Sequence, residues 1–102
     1  MTHEKLKSVF ARYRSVLDCD YPEVEAAQMP GRCTTARSGG LHYTIVAAHY
    51  KFMCDEAQRF VDAGRIEKAM RWLGFLQGAF WRCGRFTLDE LKNHSRPDSP
   101  EE

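Results

Sequence analysis

Apolar residues recur every three or four positions in the first part of the chain, which is the period of an amphipathic helix. Between residues 4 and 17 they form one stripe, made of Leu6, Val9, Phe10, Tyr13, Val16 and Leu17. Lysine and arginine side chains fall on the other faces, and Thr2 precedes the segment as a candidate N-cap. The pattern therefore predicts a helix over residues 4–17.

The helical period stops over residues 19–40. Prolines and glycines interrupt this segment, at Pro22, Pro30, Gly31, Gly39 and Gly40. Irregular segments of this length are uncommon in compact domains, so we expect a loop that is either functional or partly disordered. Arg32 and Arg37 lie within it among hydroxyl side chains, and we consider both to be candidate binding residues.

Two longer helices are predicted after this loop. Residues 41–63 carry a wide apolar arc, and Gly64 follows at the position where a glycine commonly ends a helix. The next helix is predicted over residues 65–83 and ends before Gly84. Because the connection is so short, the two helices should form an antiparallel hairpin.

A short fourth helix is predicted over residues 87–94. Thr87 and Glu90 have the spacing of a capping box at its start. No repeat and no convincing strand pattern is found, so the predicted fold class is all-α, a small bundle of three main helices and one short one. We expect a single helical domain over residues 1–95, followed by a disordered acidic tail over 96–102.

The third predicted helix is apolar around most of its circumference. Its small and charged positions follow one narrow stripe, made of Glu67, Arg71, Gly74, Gly78, Arg82 and Arg85. In a three-helix domain, two neighbouring helices can cover only about half of the circumference of such a helix. Large exposed apolar surfaces mark interfaces, so this surplus predicts self-association.

Gly74 and Gly78 form a G-x-x-x-G pair within that stripe. Each glycine costs about 1 kcal/mol relative to alanine inside a helix, which suggests that another helix approaches closely. Three explanations stay open: packing against aromatic residues of the second helix, a seam between identical copies, or a groove for a different partner. The predicted interface residues are Arg71, Trp72, Gly74, Phe75, Gly78, Trp81, Arg82 and Arg85, together with Arg32 and Arg37 of the loop.

Composition narrows the classes of function. Lysine and arginine number 15 and aspartate and glutamate 14, so the net charge is +1. A protein that binds duplex nucleic acid mainly through phosphates usually has a clear basic excess, but arginines interleaved with aromatic residues keep single-strand binding as an alternative. No secretory or membrane-spanning segment is recognised, and the four separated cysteines are typical of reduced thiols, so we expect a cytoplasmic protein.

No pattern of catalytic or metal-binding residues stands out. The cysteines and histidines lack the close spacing of zinc ligands. His49 and Cys54 are five positions apart and would point in different directions on a helix, which disfavours a nucleophile pair. Nothing resembles a phosphate-binding loop or a dinucleotide fingerprint. We therefore expect no enzyme activity, no bound metal and no cofactor.

The segment from Gly64 to Pro97 carries a more specific signature. It reads R-W-L-G-F-L-Q-G-A-F-W, then T-L-D-E-L and, a few residues on, R-P. This third of the chain resembles a group of small, functionally uncharacterised proteins of tailed bacteriophages and prophages that share R-W-L-G-F-x-Q-G-x-x-W. The resemblance implies a setting in the cytoplasm of a bacterial host, and it transfers no catalytic or binding residue.

The expected function follows from that setting and from the surplus apolar surface. Small phage proteins of this kind often act stoichiometrically, by binding a host protein or a defence component. We expect an early accessory protein that self-associates and modulates or inhibits a host protein. The alternatives are a nucleic-acid-binding regulator and the sequestration of a small nucleotide-like ligand at a subunit interface.

Overall fold

The computed structural model describes residues 1–28 and 43–96 of the chain. They form four helices, α1 (His3–Asp20), α2 (Tyr43–Asp62), α3 (Ile66–Arg82) and α4 (Leu88–His94). The predicted all-α fold, with three main helices and a short C-terminal one, is confirmed. No helix in this part of the chain is long and apolar enough to span a bilayer. Most of the predicted 19–40 loop and nearly all of the predicted 96–102 tail lie outside the described residues.

Helix α1 begins where its cap was predicted. The Thr2 side chain accepts a hydrogen bond from the Lys5 backbone N–H at 3.0 Å. The helix continues to Asp20, three residues beyond the predicted end, and Tyr21 still donates its N–H to the Leu17 carbonyl at 2.8 Å. Pro22 follows, and a residue before proline is biased away from the helical conformation. The irregular segment therefore starts at Tyr21 and not at residue 19.

The connection between α2 and α3 is the predicted tight hairpin. Gly64 has a φ of 80°, in the left-handed region that favours glycine. Two hydrogen bonds close the turn, from Gly64 N to the Val61 carbonyl at 3.0 Å and from Arg65 N to the Phe60 carbonyl at 2.8 Å. Helix α3 consequently returns along α2.

The connection from α3 to α4 also turns at a glycine in the left-handed region. Gly84 has a φ of 82°, and Arg85 N donates to the Phe80 carbonyl at 2.9 Å. The predicted capping box is present: Thr87 accepts from Glu90 N at 3.1 Å, and Glu90 accepts from Thr87 N at 2.8 Å. This turn folds α4 back over the end of α3.

The core lies where α1, α2 and α3 meet. All four helices supply side chains to it, among them Leu6, Phe10, Tyr13, Leu17, Met53, Ala57, Leu73, Leu76, Phe80 and Leu91. The Tyr13 ring packs edge-on against Phe80 with centroids 4.8 Å apart. The inner side of α3 is therefore fully used by the fold.

A buried lysine holds the segment that follows α1. The Lys51 side chain is only 1% exposed, and its Nζ donates to the carbonyls of Tyr21 at 2.8 Å and Val24 at 2.6 Å. It also forms an ion pair with Asp18 Oδ1 at 3.1 Å. Because a buried ammonium group without partners is costly, the two carbonyls and the Asp18 carboxylate stabilise Lys51 in this position. Part of the predicted loop is thus attached to α2.

A candidate protein-binding face on helix α3

The side of α3 opposite the core is a continuous exposed surface, which we call the α3 outer face. Its residues are Glu67, Met70, Arg71, Gly74, Phe75, Gly78, Trp81 and Arg82, and all eight are exposed. The buried side consists of Ala69, Leu73, Leu76 and Phe80. Both sets repeat at intervals of three or four residues, so one helix presents two opposite faces. The outer face therefore extends along the whole length of α3.

Three large apolar side chains lie on the α3 outer face. Phe75 is 55% exposed, Trp81 51% and Met70 42%. The Phe75 ring also contacts Tyr50 of α2, with centroids 6.1 Å apart. Several large apolar side chains exposed along one helix are typical of a protein interaction surface.

The two glycines lie open at the centre of this face. A Cβ atom added at Gly74 or Gly78 would meet no heavy atom within 4 Å. Packing against aromatic residues of α2 therefore does not explain the G-x-x-x-G pair among the described residues. Two of the three explanations remain, a seam between copies and a groove for a different partner. In either case a second backbone can approach α3 closely at these positions.

A groove of about 430 Å³ adjoins the outer face between α3 and α4. It is lined by Gln77, Gly78, Trp81, Leu88, Leu91, Lys92 and Ser95. Gly78 and Trp81 belong to both the groove and the outer face, so the two surfaces are continuous. Leu88 at its rim is 55% exposed. The groove is large enough to receive an apolar side chain from a bound partner.

A buried hydrogen-bond network fixes one wall of this groove. Gln77 Nε2 donates to Tyr13 Oη at 3.1 Å and to Ser95 Oγ at 3.0 Å, and Tyr13 Oη lies 2.9 Å from His94 Nδ1. Burial lowers the pKa of His94, with a smaller contribution from Arg12. In the tautomer whose Nδ1 carries no proton, neutral His94 accepts from the Tyr13 hydroxyl, whose oxygen accepts from Gln77. The network joins α1, α3 and α4.

The sequence pattern assigns no role to this network. Gln77 carries no signal of its own in the pattern, and Tyr13 belongs to the apolar stripe of α1. The capping box at Thr87 correctly predicted α4, but the pattern contains no signal that His94 turns inward. Only the tertiary arrangement brings these side chains together.

The arginines are arranged differently from the predicted stripe. Arg85 lies beyond the end of α3, in the turn made by Gly84, and its Nε donates to Asp20 Oδ2 at 2.8 Å. Its guanidinium also lies over the Phe86 ring. Placing Arg85 on the same helical face was therefore wrong, because α3 ends at Arg82. Arg85 ties the α3–α4 turn to the end of α1.

Two arginines remain on the outer face. Arg71 Nη1 lies 4.0 Å from Glu67 Oε1, at the limit of an ion pair, and the Glu67 side chain is 94% exposed. Arg82 is exposed and forms no ion pair with any residue in the described part of the chain. These side chains are available to a partner.

The remaining predicted binding residues lie elsewhere. Trp72 packs edge-on against Phe60 of α2 with centroids 4.8 Å apart and is half-buried. It belongs to the α2–α3 contact and not to the α3 outer face, since it lies two positions from Gly74 on the helix. Arg32 and Arg37 lie outside the described residues. The structure thus brings together Arg71, Gly74, Phe75, Gly78, Trp81 and Arg82.

Other candidate chemistry is sparse in the described part of the chain. Residues 1–28 and 43–96 hold no group of three or more histidine, cysteine, aspartate or glutamate side chains that could bind a metal ion. Cys54 is fully buried, and burial raises the pKa of its thiol to about 12. It therefore stays protonated at neutral pH and is a poor nucleophile. Cys19 and Cys83 are exposed free thiols.

Comparison with known proteins adds no further assignment. No protein-family model matches the chain, and neither the curated proteins nor the solved structures contain a significant match.

Proposed function

We propose that this chain is a small phage-encoded accessory protein that binds a protein of the bacterial host through its α3 outer face. The open space above Gly74 and Gly78, between exposed Phe75 and Trp81, is the observation that carries the proposal. The phage setting and the host cytoplasm come from the sequence signature between Gly64 and Pro97. Binding, and not catalysis, is the proposed mode of action.

The chemistry of the face suits protein binding. Tryptophan and arginine are enriched among residues that contribute most to protein–protein affinity, and Trp81 and Arg82 adjoin one another here. Phe75 and Trp81 supply apolar area on either side of the glycines. Arg71 and Arg82 supply charges that orient a partner. The proposed mechanism is stoichiometric: a host segment covers the face, and one of its apolar side chains enters the α3–α4 groove.

Affinity capture with matched variants tests this proposal. Gly78→Leu places a side chain in the open space, where an added Cβ meets no heavy atom within 4 Å, and circular dichroism checks that the fold is kept. Ala11→Leu adds a side chain of the same size on the exposed side of α1 and serves as the control. We expect wild type and Ala11→Leu to enrich the same host protein from a lysate, and Gly78→Leu to lose it. Identical capture by all three chains would contradict binding through this face.

A second candidate function is binding of single-stranded nucleic acid. The observation in its favour is that unpaired Arg82 shares a face with the exposed rings of Phe75 and Trp81, since arginines and aromatic rings together can hold phosphates and stack bases. Against it, the face carries two arginines and one glutamate. Fluorescence anisotropy with labelled oligonucleotides at low salt tests it, and loss of signal in Arg82→Ala would support it.

A further inference from the structure

We propose that, in the isolated protein, the α3 outer face is covered by the α3 outer face of a second copy, with the two helices antiparallel. This inference uses the same face as the proposed function but needs no host partner. The second copy is identified as the occupant by the order of residues along the face. When one helix runs antiparallel to the other, the residues of the two faces are complementary.

The charges of the face are placed symmetrically about its centre. Glu67 lies seven positions before Gly74, and Arg82 lies seven positions after Phe75. When two such helices run antiparallel and cross between Gly74 and Phe75, Glu67 of each copy lies opposite Arg82 of the other. Glu67 is 94% exposed, and Arg82 has no ion pair among the residues described, so both are available. Two equivalent ion pairs then form about 22 Å apart, from the helical rise.

The remaining positions of the face are complementary in the same register. Arg71 lies three positions before Gly74, and Gly78 lies three positions after Phe75, so the long arginine side chain crosses an open glycine of the other copy. Phe75 of the two copies meet beside the crossing point. Trp81 lies within two positions of Met70 of the second copy, along the edge next to the α3–α4 groove. A sulfur–aromatic contact is favourable there.

A parallel arrangement lacks this complementarity. It would place Glu67 against Glu67 and Arg82 against Arg82, and like charges across an interface are unfavourable. It would also align the two helix dipoles, whereas the antiparallel pair places opposite helix ends together. A twofold interface requires a self-complementary patch, and the antiparallel register supplies one. A host protein that binds this face then competes with the second copy.

Charge reversal in the purified chain tests the arrangement. We expect sedimentation velocity to show a dimer of wild type with a Kd tighter than about 100 µM. Glu67→Arg and Arg82→Glu should each weaken dimerisation about tenfold or more, because each creates two like-charge pairs. The double reversal should restore the dimer, and an equimolar mixture of the two single variants should form a heterodimer. Both substituted positions are exposed, so circular dichroism and thermal unfolding should show an unchanged fold.

Each outcome decides the question. A wild-type chain that is monomeric up to about 100 µM overturns the dimer, as does a dimer that neither single reversal weakens. A dimer that the double reversal fails to restore overturns the antiparallel register. The result is separable from the proposed function, since capture of a host protein lost in Gly78→Leu can occur with a monomeric chain. Conversely, a dimer with no captured host protein supports only this inference.

Discussion

Helices α1 and α3 are both amphipathic, but they use their apolar residues differently. In α1 the large apolar side chains point into the core, and its opposite side carries polar residues and alanine. In α3 one set of apolar residues fills the core while Phe75, Trp81 and Met70 remain outside it. Core packing therefore explains the apolar residues of α1, but only the inner apolar residues of α3. The exposed apolar residues of α3 require a functional explanation.

The largest expected effect comes from truncating one phenylalanine on each helix. Phe10 is fully buried, so Phe10→Ala should lower the free energy of unfolding by about 3–5 kcal/mol. Phe75→Ala should lower it by about 1 kcal/mol or less, because about half of the residue is exposed. Urea denaturation at a concentration where the chain is monomeric measures both. Equal losses would mean that the outer face is part of the folded core.

A second pair of variants extends the comparison to charged side chains. Lys51→Met removes the ammonium group from the Tyr21 and Val24 carbonyls, of which Tyr21 keeps its bond from Val24 N, and should destabilise the protein by about 1–2 kcal/mol. Arg82→Met removes a cation that the described part of the fold does not use, so its unfolding free energy should hardly change. Thermal unfolding of the two variants measures the contrast. A stable Lys51→Met protein would show that the segment after α1 does not depend on this lysine.

A smaller effect of opposite sign is expected at the glycines. Gly74→Ala and Gly78→Ala should each stabilise the monomer by up to about 1 kcal/mol, because alanine is the better helix former and nothing obstructs its Cβ. Ala11→Gly on the exposed side of α1 should destabilise it by a similar amount. Chemical denaturation measures these changes. Destabilisation by alanine would contradict the open space at these two positions.

The smallest effect is expected from acidification. Because burial lowers the pKa of His94 below the ordinary value of 6.5, the folded chain binds its proton less well than the unfolded chain. This contribution to stability is complete above pH 6.5 and is lost as the pH falls through and below that value. Urea midpoints at pH 7.5 and 5.5 measure the loss. His94→Asn should reduce it, and the remainder belongs in part to His49, whose pKa burial also lowers.

Hydrogen bonds to Asp18 act in the same direction at lower pH. Although partial burial opposes the change, hydrogen bonds from Lys51 and Arg14 lower the pKa of Asp18 below its ordinary 3.8. The contribution of Asp18 to stability is therefore complete above pH 3.8 and is lost only as the pH falls below that value. The His94 effect can be measured separately between pH 7.5 and 5.5.

Local signals predicted the helices well. The apolar period of α1, the Gly64 and Gly84 stops and the Thr87–Glu90 capping box all depend on neighbours within a few residues. The same period also identified the stripe through Gly74 and Gly78 as a distinct side of α3. Local sequence is sufficient for these features because each is determined within one or two helical turns.

Features that depend on which helices meet could not be predicted in this way. A helical wheel shows that Trp72 and Trp81 differ in direction, but not that α2 covers only the first of them. It assigned Arg85 to α3 because the wheel continues past Arg82, whereas Gly84 turns the chain. The buried pairing of Lys51 with two carbonyls depends on how α1 docks against α2. These contacts join residues far apart along the chain.

The bond between Tyr13 and His94 has a consequence for the order in which the molecule assembles. It joins two side chains 81 positions apart, so α1 completes its polar contacts only after α4 has been synthesised. Until then the Tyr13 hydroxyl has its bond from Gln77 but not its contact to His94, and the Gln77 amide lacks Ser95. Contacts this distant in sequence form late and slow the search for the native state. A chain shortened before His94 would therefore keep the buried Tyr13 hydroxyl without its contact to the imidazole.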